Sequence, residues 1–548
     1  MDRRVSDAAL SYRVRLHSIE RGWRVFAAML LLLLPSPGYS QNLSKVTFVG
    51  IDLTGMTYYP EKKITEASIQ REVDNVVAEH GNVIDLVAVQ DVASRITSVY
   101  RKSGFVFTRA YVPQQRSGRG RVEVRLLQGW LSSIEILDNR RYDNEVLQRP
   151  FADLKGKTVY SPDMEEAIAL LNDYPGLNAF GFYSVGEEPG STRVNIRVQS
   201  ERNWTGSIHA DNFGSELTGK TRLFTAAEKF NPTGNADRLG VSVLQTFDPD
   251  NATYGQLDYG IPVFDKRTKL SMQASTNTFV VKRAVSDGGI EFSGKTHSGQ
   301  LKLARYMKRG SAMNASWNVS LRRDISTIDI KNFGDADLDQ ETWEASVGMQ
   351  WNRLSRLAGN WFDVGADLAA GRYDHIDIPG QNSEYQFARG FASYAQSVDI
   401  AQSTHQLKLD VDWQYTDDLL PAISQYALAG PTRLRGFLPG EFNADSGAIV
   451  ASTWIFPAWS ATGKNADMRC DVTMSVFAEY GHGVQNVPGP GGNDKGSLSD
   501  VGASWLLAVG PEISTTVTVA KPVSYRIDYE EAHARAARAW VELHWRFH

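Results

Sequence analysis

Residues 406–415 read QLKLDVDWQY, with Leu407, Leu409, Val411, Trp413 and Tyr415 alternating with Gln406, Lys408, Asp410, Asp412 and Gln414. Successive strand side chains point to opposite faces, so this segment presents one apolar, aromatic face and one charged face. The same pattern recurs at 313–322, where Met313, Ala315, Trp317, Val319 and Leu321 alternate with polar residues. At 472–480, Val472, Met474, Val476, Ala478 and Tyr480 alternate with Thr473, Ser475, Phe477 and Glu479. At 539–548, Ala539, Val541, Leu543, Trp545 and Phe547 alternate with Trp540, Glu542, His544, Arg546 and His548.

A half-buried sheet on a soluble core alternates too, so the solvent is decided by length and number. The alternating runs are about ten residues long, which suits a tilted membrane crossing better than a soluble strand of about five or six. Working outward from 406–415, runs start near Trp204, Thr221, Arg238, Thr253, Lys269, Thr296, Met313, Thr342, Trp361, Tyr385, Thr404, Ala448, Asp471, Ser499, Ser514 and Arg538. Sixteen strands over 201–548 leave about 22 residues per strand and connection, the spacing of an outer-membrane barrel. An even count puts both barrel ends on one side of the membrane. The expected fold class is membrane all-β: a 16-stranded barrel preceded by a small soluble array.

That array occupies roughly 41–200. An alternating run at Val46–Leu53 precedes helix-like stretches at Glu66–Glu79 and Val83–Arg101, where Val89, Ala93, Ile96 and Tyr100 recur at helical spacing before Gly104 stops the helix. Strands at Phe105–Val112 and Val122–Leu127 complete a βααββ unit. The order repeats with a strand at Leu131–Leu137, a helix near Asn144–Asp153, a helix capped by Ser161 with Pro162 in its first turn, and strands at Phe180–Val185 and Val194–Gln199.

Residues 1–40 read as a secretory signal peptide. The longest apolar run, Val25–Leu34, is about half a membrane-spanning helix; arginines precede it and Gly38-Tyr39-Ser40 ends it, with cleavage expected after Ser40. Losing six arginines and three acids lowers the net charge from −5 by three, to −8. With 58 basic and 63 acidic residues there is no basic stripe for nucleic acid, and the single Cys470 excludes an internal disulfide and a cysteine-rich metal site.

Two motifs mislead. Gly214, Gly219, Lys220 and Thr221 in GSELTGKT satisfy a phosphate-loop pattern, but Thr221 to Phe230 reads as strand where such a loop needs a helix, so a hairpin turn is expected and no nucleotide. Asp335, Asp337 and Asp339 resemble a calcium loop, yet Gln340 stands where glycine is needed and Ser346 where the last acid should be. Neither HExxH nor GxSxG occurs, so no catalytic residue, metal site or cofactor is expected. One connection, about 416–447, is long enough to be functional and contains Leu434, Arg435, Gly436 and Phe437. Glu479 lies on the polar face of the strand after next. An inward fold of the loop lets Arg435 meet Glu479 in the lumen, where a guanidinium and carboxylate pair favourably.

Five segments resemble the two-partner secretion transporters, the haemolysin and filamentous-haemagglutinin secretion family of POTRA-plus-barrel proteins. YRKSGFVFTRAYVPQQ (100–115) is similar to the first POTRA domain, LLNDYPG (170–176) to the second, and DNFGSELTGKTR (211–222) to the first barrel hairpin. LRGF (434–437) is similar to the hallmark of the inward loop, and FAEYG (477–481) to the Phe-x-Asp-x-Gly strand that receives its arginine. The resemblance covers nearly the whole mature chain. It implies domains at 41–130, 131–200 and 201–548. It also implies a loop-motif or gating role for Leu434, Arg435, Gly436 and Phe437, with a partner strand carrying Phe477, Glu479 and Gly481.

Phe105, Val106, Arg109, Tyr111, Pro113 and Gln115 are implied as substrate-recognition residues, and Phe547 as the signal to the barrel assembly machinery. The implied cargo is a large exoprotein, adhesin-like or haemolysin-like, with an amino-terminal secretion domain; the other implied partner is the lipid bilayer. An assembly or insertion factor of the same superfamily is the alternative function; it usually carries more POTRA domains. A passive porin leaves the array unexplained, and an exported enzyme lacks a catalytic cluster. Departures are Glu479 for the usual Asp, Leu434 for Val or Ile, and Phe547 one residue before the end. No plug helix is expected ahead of the first POTRA strand.

Overall fold

The computed structural model describes residues 47–115, 120–283, 290–331, 336–355, 358–374, 382–462, 469–487, 492–528 and 536–547. The expected signal peptide, Asp335 and His548 lie outside them. The chain forms two compact units, residues 47–103 with 108–127, and residues 104–107 with 128–547.

In the first unit, β1 (Gly50–Thr54), α1 (Glu66–Glu79), α2 (Leu86–Lys102), β2 (Thr108–Tyr111) and β3 (Arg121–Gln128) follow in order. The sheet order is β1-β3-β2, with β1 parallel to β3. Helix α1 opens with a reciprocal cap between Thr65 and Ser68. Helix α2 starts after Val83 because the Asp85 carboxylate accepts from Ala88 N at 2.8 Å and fixes the cap there. Val89, Ala93, Ile96 and Tyr100 are buried on its inner face. The strand expected over Phe105–Val112 is shorter, because residues 104–107 belong to the second unit.

The second unit begins with β4 (Trp130–Leu137), α3 (Asn144–Gln148), a 3-10 turn (Arg149–Leu154), α4 (Ser161–Leu171), β5 (Leu177–Val185) and β6 (Ser191–Glu201). Its sheet order is β4-β6-β5, with β4 parallel and β5 antiparallel to β6. Leu131, Leu147, Phe151, Leu171 and Ile196 form its core. Ser161 is not the cap: Tyr160, in extended conformation, holds that position, and the Ser161 amide donates to Gly104 O at 2.9 Å.

The barrel comes next. Its strands are β7 (Trp204–Asp211), β8 (Thr221–Phe230), β9 (Arg238–Phe247), β10 (Ala252–Pro262), β11 (Thr268–Arg283), β12 (Ile290–Arg309), β13 (Met313–Lys331), β14 (Ala336–Ser355), β15 (Asn360–Asp374), β16 (Glu384–Ile400) and β17 (Ser403–Tyr415). Two short strands, β18 (Tyr426–Ala427) and β19 (Asn443–Ala444), stand apart from the wall. The wall resumes with β20 (Ser446–Ile455), β21 (Trp459–Thr462), β22 (Arg469–Gln485), β23 (Asp494–Val509), β24 (Ile513–Ile527) and β25 (Arg538–Phe547). β20 and β21 both pair with β22, making one strand interrupted near Pro457, so the antiparallel barrel has sixteen strands and closes between β25 and β7. The stretch GSELTGK lies in the β7–β8 connection, with a strand after it.

Burial runs inside out. Leu257, Val347, Met349 and Leu368 are exposed on the outer face, while Asp324, Glu344, Asp363, Glu479, Asp500 and Glu542 are buried on the inner one. An apolar band outside and a polar interior match a lipid-facing wall. The strands β11–β16 run 15–20 residues, longer than the alternating pattern. At about 3.4 Å per residue they overreach a hydrocarbon core about 30 Å thick. Past the bilayer both faces meet water, so the ladder continues where the alternation stops.

Three ion pairs fix the helical layer beside the second sheet to the short barrel turns. Lys266 Nζ reaches Asp153 at 2.5 Å, Arg267 Nε reaches Glu166 at 2.5 Å, and Arg309 grips Asp173 through Nε at 2.9 Å and Nη2 at 2.8 Å. Partial burial opposes ionisation of Asp153, but the hydrogen bond and charge of Lys266 hold its carboxyl below the ordinary value. A depressed pKa contributes above the unfolded value and is lost as pH falls through the folded one, so this contact releases only in acid below about pH 4. Asp173→Arg is expected to speed protease cleavage between 150 and 175 by about two- to fivefold, the worth of a partly exposed pair. Adding Arg309→Asp should restore protection; failure of the swap would show that the pair does not hold the sheet.

Candidate functional site

The connection of residues 416–445 between β17 and β20 folds into the lumen. β18 and β19 pair Tyr426 with Ala444 and Ala427 with Asn443, and Gly430, at φ +138°, turns the tip beyond them. Leu428, Leu434, Phe437, Phe442 and Ala444 are buried at 0–1% exposure. They pack with Ile449, Leu498, Tyr525 and Ile527 of the wall into one apolar cluster. Each large side chain removed from lumen water contributes about 1.5–3 kcal/mol. The wall makes room with glycine: a Cβ at Gly481 would lie 2.6 Å from Leu434 Cδ1, and one at Gly483 would lie 2.8 Å from Leu428 Cδ1.

Tyr525 and Ile527 reach this cluster through a bulge. Ser499 pairs with Ser524 but Asp500 with Pro522, leaving Val523 as the extra residue. Below it, Thr518 and Ala520 are buried; above it the parity flips and Tyr525 and Ile527 turn inward. The Tyr525 ring stacks on Phe437 at 6.0 Å.

Arg435 sits at the tip of this assembly. Its Nη2 lies 2.7 Å and its Nε 3.0 Å from Glu479 Oε1, while Glu479 Oε2 accepts the Arg435 backbone N–H at 3.0 Å. Glu479 therefore holds both the side chain and the main chain of Arg435. The guanidinium carbon stands 3.3 Å from the centre of the Phe477 ring, a stacked cation–π contact. Asp500, directly opposite Glu479 in the β22–β23 ladder, accepts from Gly436 N at 2.8 Å. Trp540 Nε1 donates to Arg435 O at 2.7 Å.

The base of the loop has its own anchor. Ser424 Oγ donates to Glu344 Oε2 at 2.9 Å, and Arg322 Nη2 lies 3.1 Å from Ser424 Oγ. Leu420 packs with Tyr373, Tyr385 and Phe387. Asp445, fully buried, accepts from Leu420 N at 2.9 Å and Asn486 N at 2.7 Å. The loop is thus tied to two different arcs of the wall.

Of the expected recognition residues, Val106 and Arg109 are exposed, and Tyr111 and Pro113 are half-buried. Phe105 is 2% exposed and packs its ring 5.1 Å from that of Tyr160, so it fills a core and offers no surface. The Gln115 amide closes on the backbone of Glu123, at 2.9 Å in both directions. Phe547 lies against Trp204 and Trp545, with Gly206 beneath its ring. Asp500 and the Glu344–Ser424 anchor are not distinguished by the sequence pattern. Trp540 does carry a signal, an aromatic on the otherwise polar face of its strand.

A sixteen-stranded lipid-facing barrel, a loop folded against its inner wall and small mixed sheets ahead of the wall define an outer-membrane transporter of the POTRA-plus-barrel class. The chain belongs to the haemolysin secretion/activation protein family ShlB/FhaC/HecB, which matches residues 190–493, and a POTRA domain of ShlB type matches residues 50–129. It is 22% identical to the heme/hemopexin transporter protein HuxB of Haemophilus influenzae (strain 86-028NP), over 83% of this chain and 80% of that one. It is 25% identical to the outer membrane transporter CdiB of Escherichia coli, over 77% and 71%. The solved structure of CdiB from Escherichia coli superposes with a TM-score of 0.76 at 18% identity, covering 99% of both chains. The family is one of outer-membrane two-partner secretion transporters, not enzymes, that export large proteins such as haemolysins.

Proposed function

We propose that the chain exports one dedicated partner, whose amino-terminal secretion domain is taken up unfolded by two POTRA domains, residues 41–130 and 131–200, and passed into the barrel, residues 201–548. Residues 1–40 direct export and are removed after Ser40, and Phe547 addresses the chain to the barrel assembly machinery. Support comes first from the position of β2 and β5 at the edges of their sheets. An edge strand offers main-chain donors and acceptors to an extended chain with few demands on its sequence. β5 also exposes Phe180, Phe182, Tyr183 and Val185, which suits the apolar side chains of an unfolded partner. Arg109 and Tyr111 of β2 take part, as does Val106. Leu434, Arg435, Gly436 and Phe437, with Phe477, Glu479 and Gly481, form the gate that yields as the partner passes. With no nucleotide in the periplasm, folding of the emerged partner supplies direction.

The test compares extracellular and outer-membrane proteins of the native Gram-negative strain with and without this chain. One large protein should vanish from the medium while the other outer-membrane proteins stay level. A joint fall of many outer-membrane proteins, or an unchanged medium under conditions where the chain is expressed, would overturn the reading.

A further inference from the structure

Among the described residues the barrel closes through its shortest pairing between whole strands. β25 and β7 share six residue pairs, Glu542 with Asp211 through Phe547 with Gly206, against eight for β7 with β8 and eight for β24 with β25. Beyond the Glu542–Asp211 pair, Asn212 prolongs the closure: its backbone N–H donates to Val541 O at 3.3 Å, its Nδ2 donates to Ala539 O at 2.9 Å and its Oδ1 accepts from Val541 N at 2.8 Å. Trp540 lies between these two points of attachment and is 4% exposed. On one side its ring meets Phe213 edge-on at 5.9 Å; on the other, its Nε1 holds Arg435 O. Phe213 is itself fixed to β7, its amide donating to Asp211 Oδ1 at 2.8 Å. Asp211 in turn is gripped by Arg222 at 2.8 and 3.0 Å.

We propose that Trp540 is a positioning residue that couples the tip of the inward loop to the closure between the first and last strands, so that a seated loop holds the seam and a closed seam holds the loop. Loop carbonyl, indole, Phe213 ring and β7 are in unbroken contact, and the indole stands where the two strands stop pairing. Coupling of this kind is reciprocal: whatever weakens one end loosens the other by the same factor. The inference concerns loop and seam alone and is read without secretion, so it stands or falls separately from the transport reading.

Amide hydrogen exchange on the full-length protein in lipid tests it. Trp540→Phe keeps a ring against Phe213 and removes the donor to the loop. It should raise exchange by about fivefold, the population change one net hydrogen bond makes, both at 434–437 and at the seam amides of β7 and β25. The β12–β13 pairing should not change. Phe213→Leu, at the β7 end of this chain of contacts, should speed exchange at 434–437. Arg435→Ala, at the loop end, should speed it at the seam. Faster exchange confined to the mutated end in any of these variants, or a general rise that includes β12–β13, would overturn the coupling.

Discussion

Arg435→Ala is expected to cut secretion of the partner at least tenfold while the barrel remains folded in the outer membrane. Glu479 has a side chain only 5% exposed, so losing the guanidinium strands a carboxylate beside Asp500. Breaking a buried pair from one side costs about 3–5 kcal/mol, because the remaining charge is neither paired nor hydrated. The tip then has reason to leave its seat, while the anchor at Glu344 and Ser424 keeps the base of the loop in place. Arg435→Lys should fall between wild type and alanine. One ammonium cannot supply both the Nε and Nη2 contacts, nor lie flat on Phe477. The partner is assayed in medium and cells, with heat-modifiable mobility on gels as the check on folding. Wild-type secretion by a folded Arg435→Ala barrel at normal abundance would remove the arginine from the transport cycle.

Gly436→Val should unseat the tip by volume instead of charge. A Cβ at 436 would lie 2.8 Å from Asp500 Cβ and 3.1 Å from Pro522 N, the latter a wall backbone atom that cannot move aside cheaply. The branched side chain also crowds the amide that Asp500 holds. Phe437, next in sequence, is drawn off Tyr525, and the apolar cluster opens. In planar bilayers the variant should conduct several-fold more than wild type. Gly299→Val, with nothing within 4 Å of its Cβ, should conduct as wild type does. Unchanged conductance in a folded Gly436→Val protein would mean that the tip does not bar the lumen.

The features legible in the sequence were those repeated often enough to be statistical. Each of the sixteen strands was visible because lipid on one face and polar lumen on the other force alternation at every second residue, wherever the wall is in the bilayer. Above the bilayer that constraint lapses, which is why β12 and β14 begin at Ile290 and Ala336 and not near Thr296 and Thr342. Arg435 and Glu479 could be paired because the arginine of LRGF in a long loop and the lumen-facing acid of FAEYG are chemically matched, whereas the loop's other arginine, Arg433, pairs with Asp412. Asp500 could not be distinguished from other lumen-facing polar residues, since its role depends on standing opposite Glu479 in the β22–β23 register. Phe105 read as a strand residue because aromatic character does not say which unit a side chain joins. Ser161 read as a cap because it precedes proline, yet capping is decided by backbone conformation, which Tyr160 supplies.

The bulge at Val523 gives the strand behind the loop one residue to spare. Val523 is 65% exposed and lies outside the apolar cluster, so replacing it with another residue of similar size should change little. Deleting it should also change little: Ser524 then follows Pro522 in an unbroken ladder opposite Ser499, and Tyr525 and Ile527 still face the lumen opposite Leu498 and Gly496. Phe437 keeps its stacking partner. One residue added between Ser524 and Tyr525 has the opposite effect, because it turns Tyr525 and Ile527 toward lipid without any residue of the loop having changed. The seat of the loop is therefore written partly as a residue count, tolerant of a lost codon at the bulge and intolerant of a gained one beyond it.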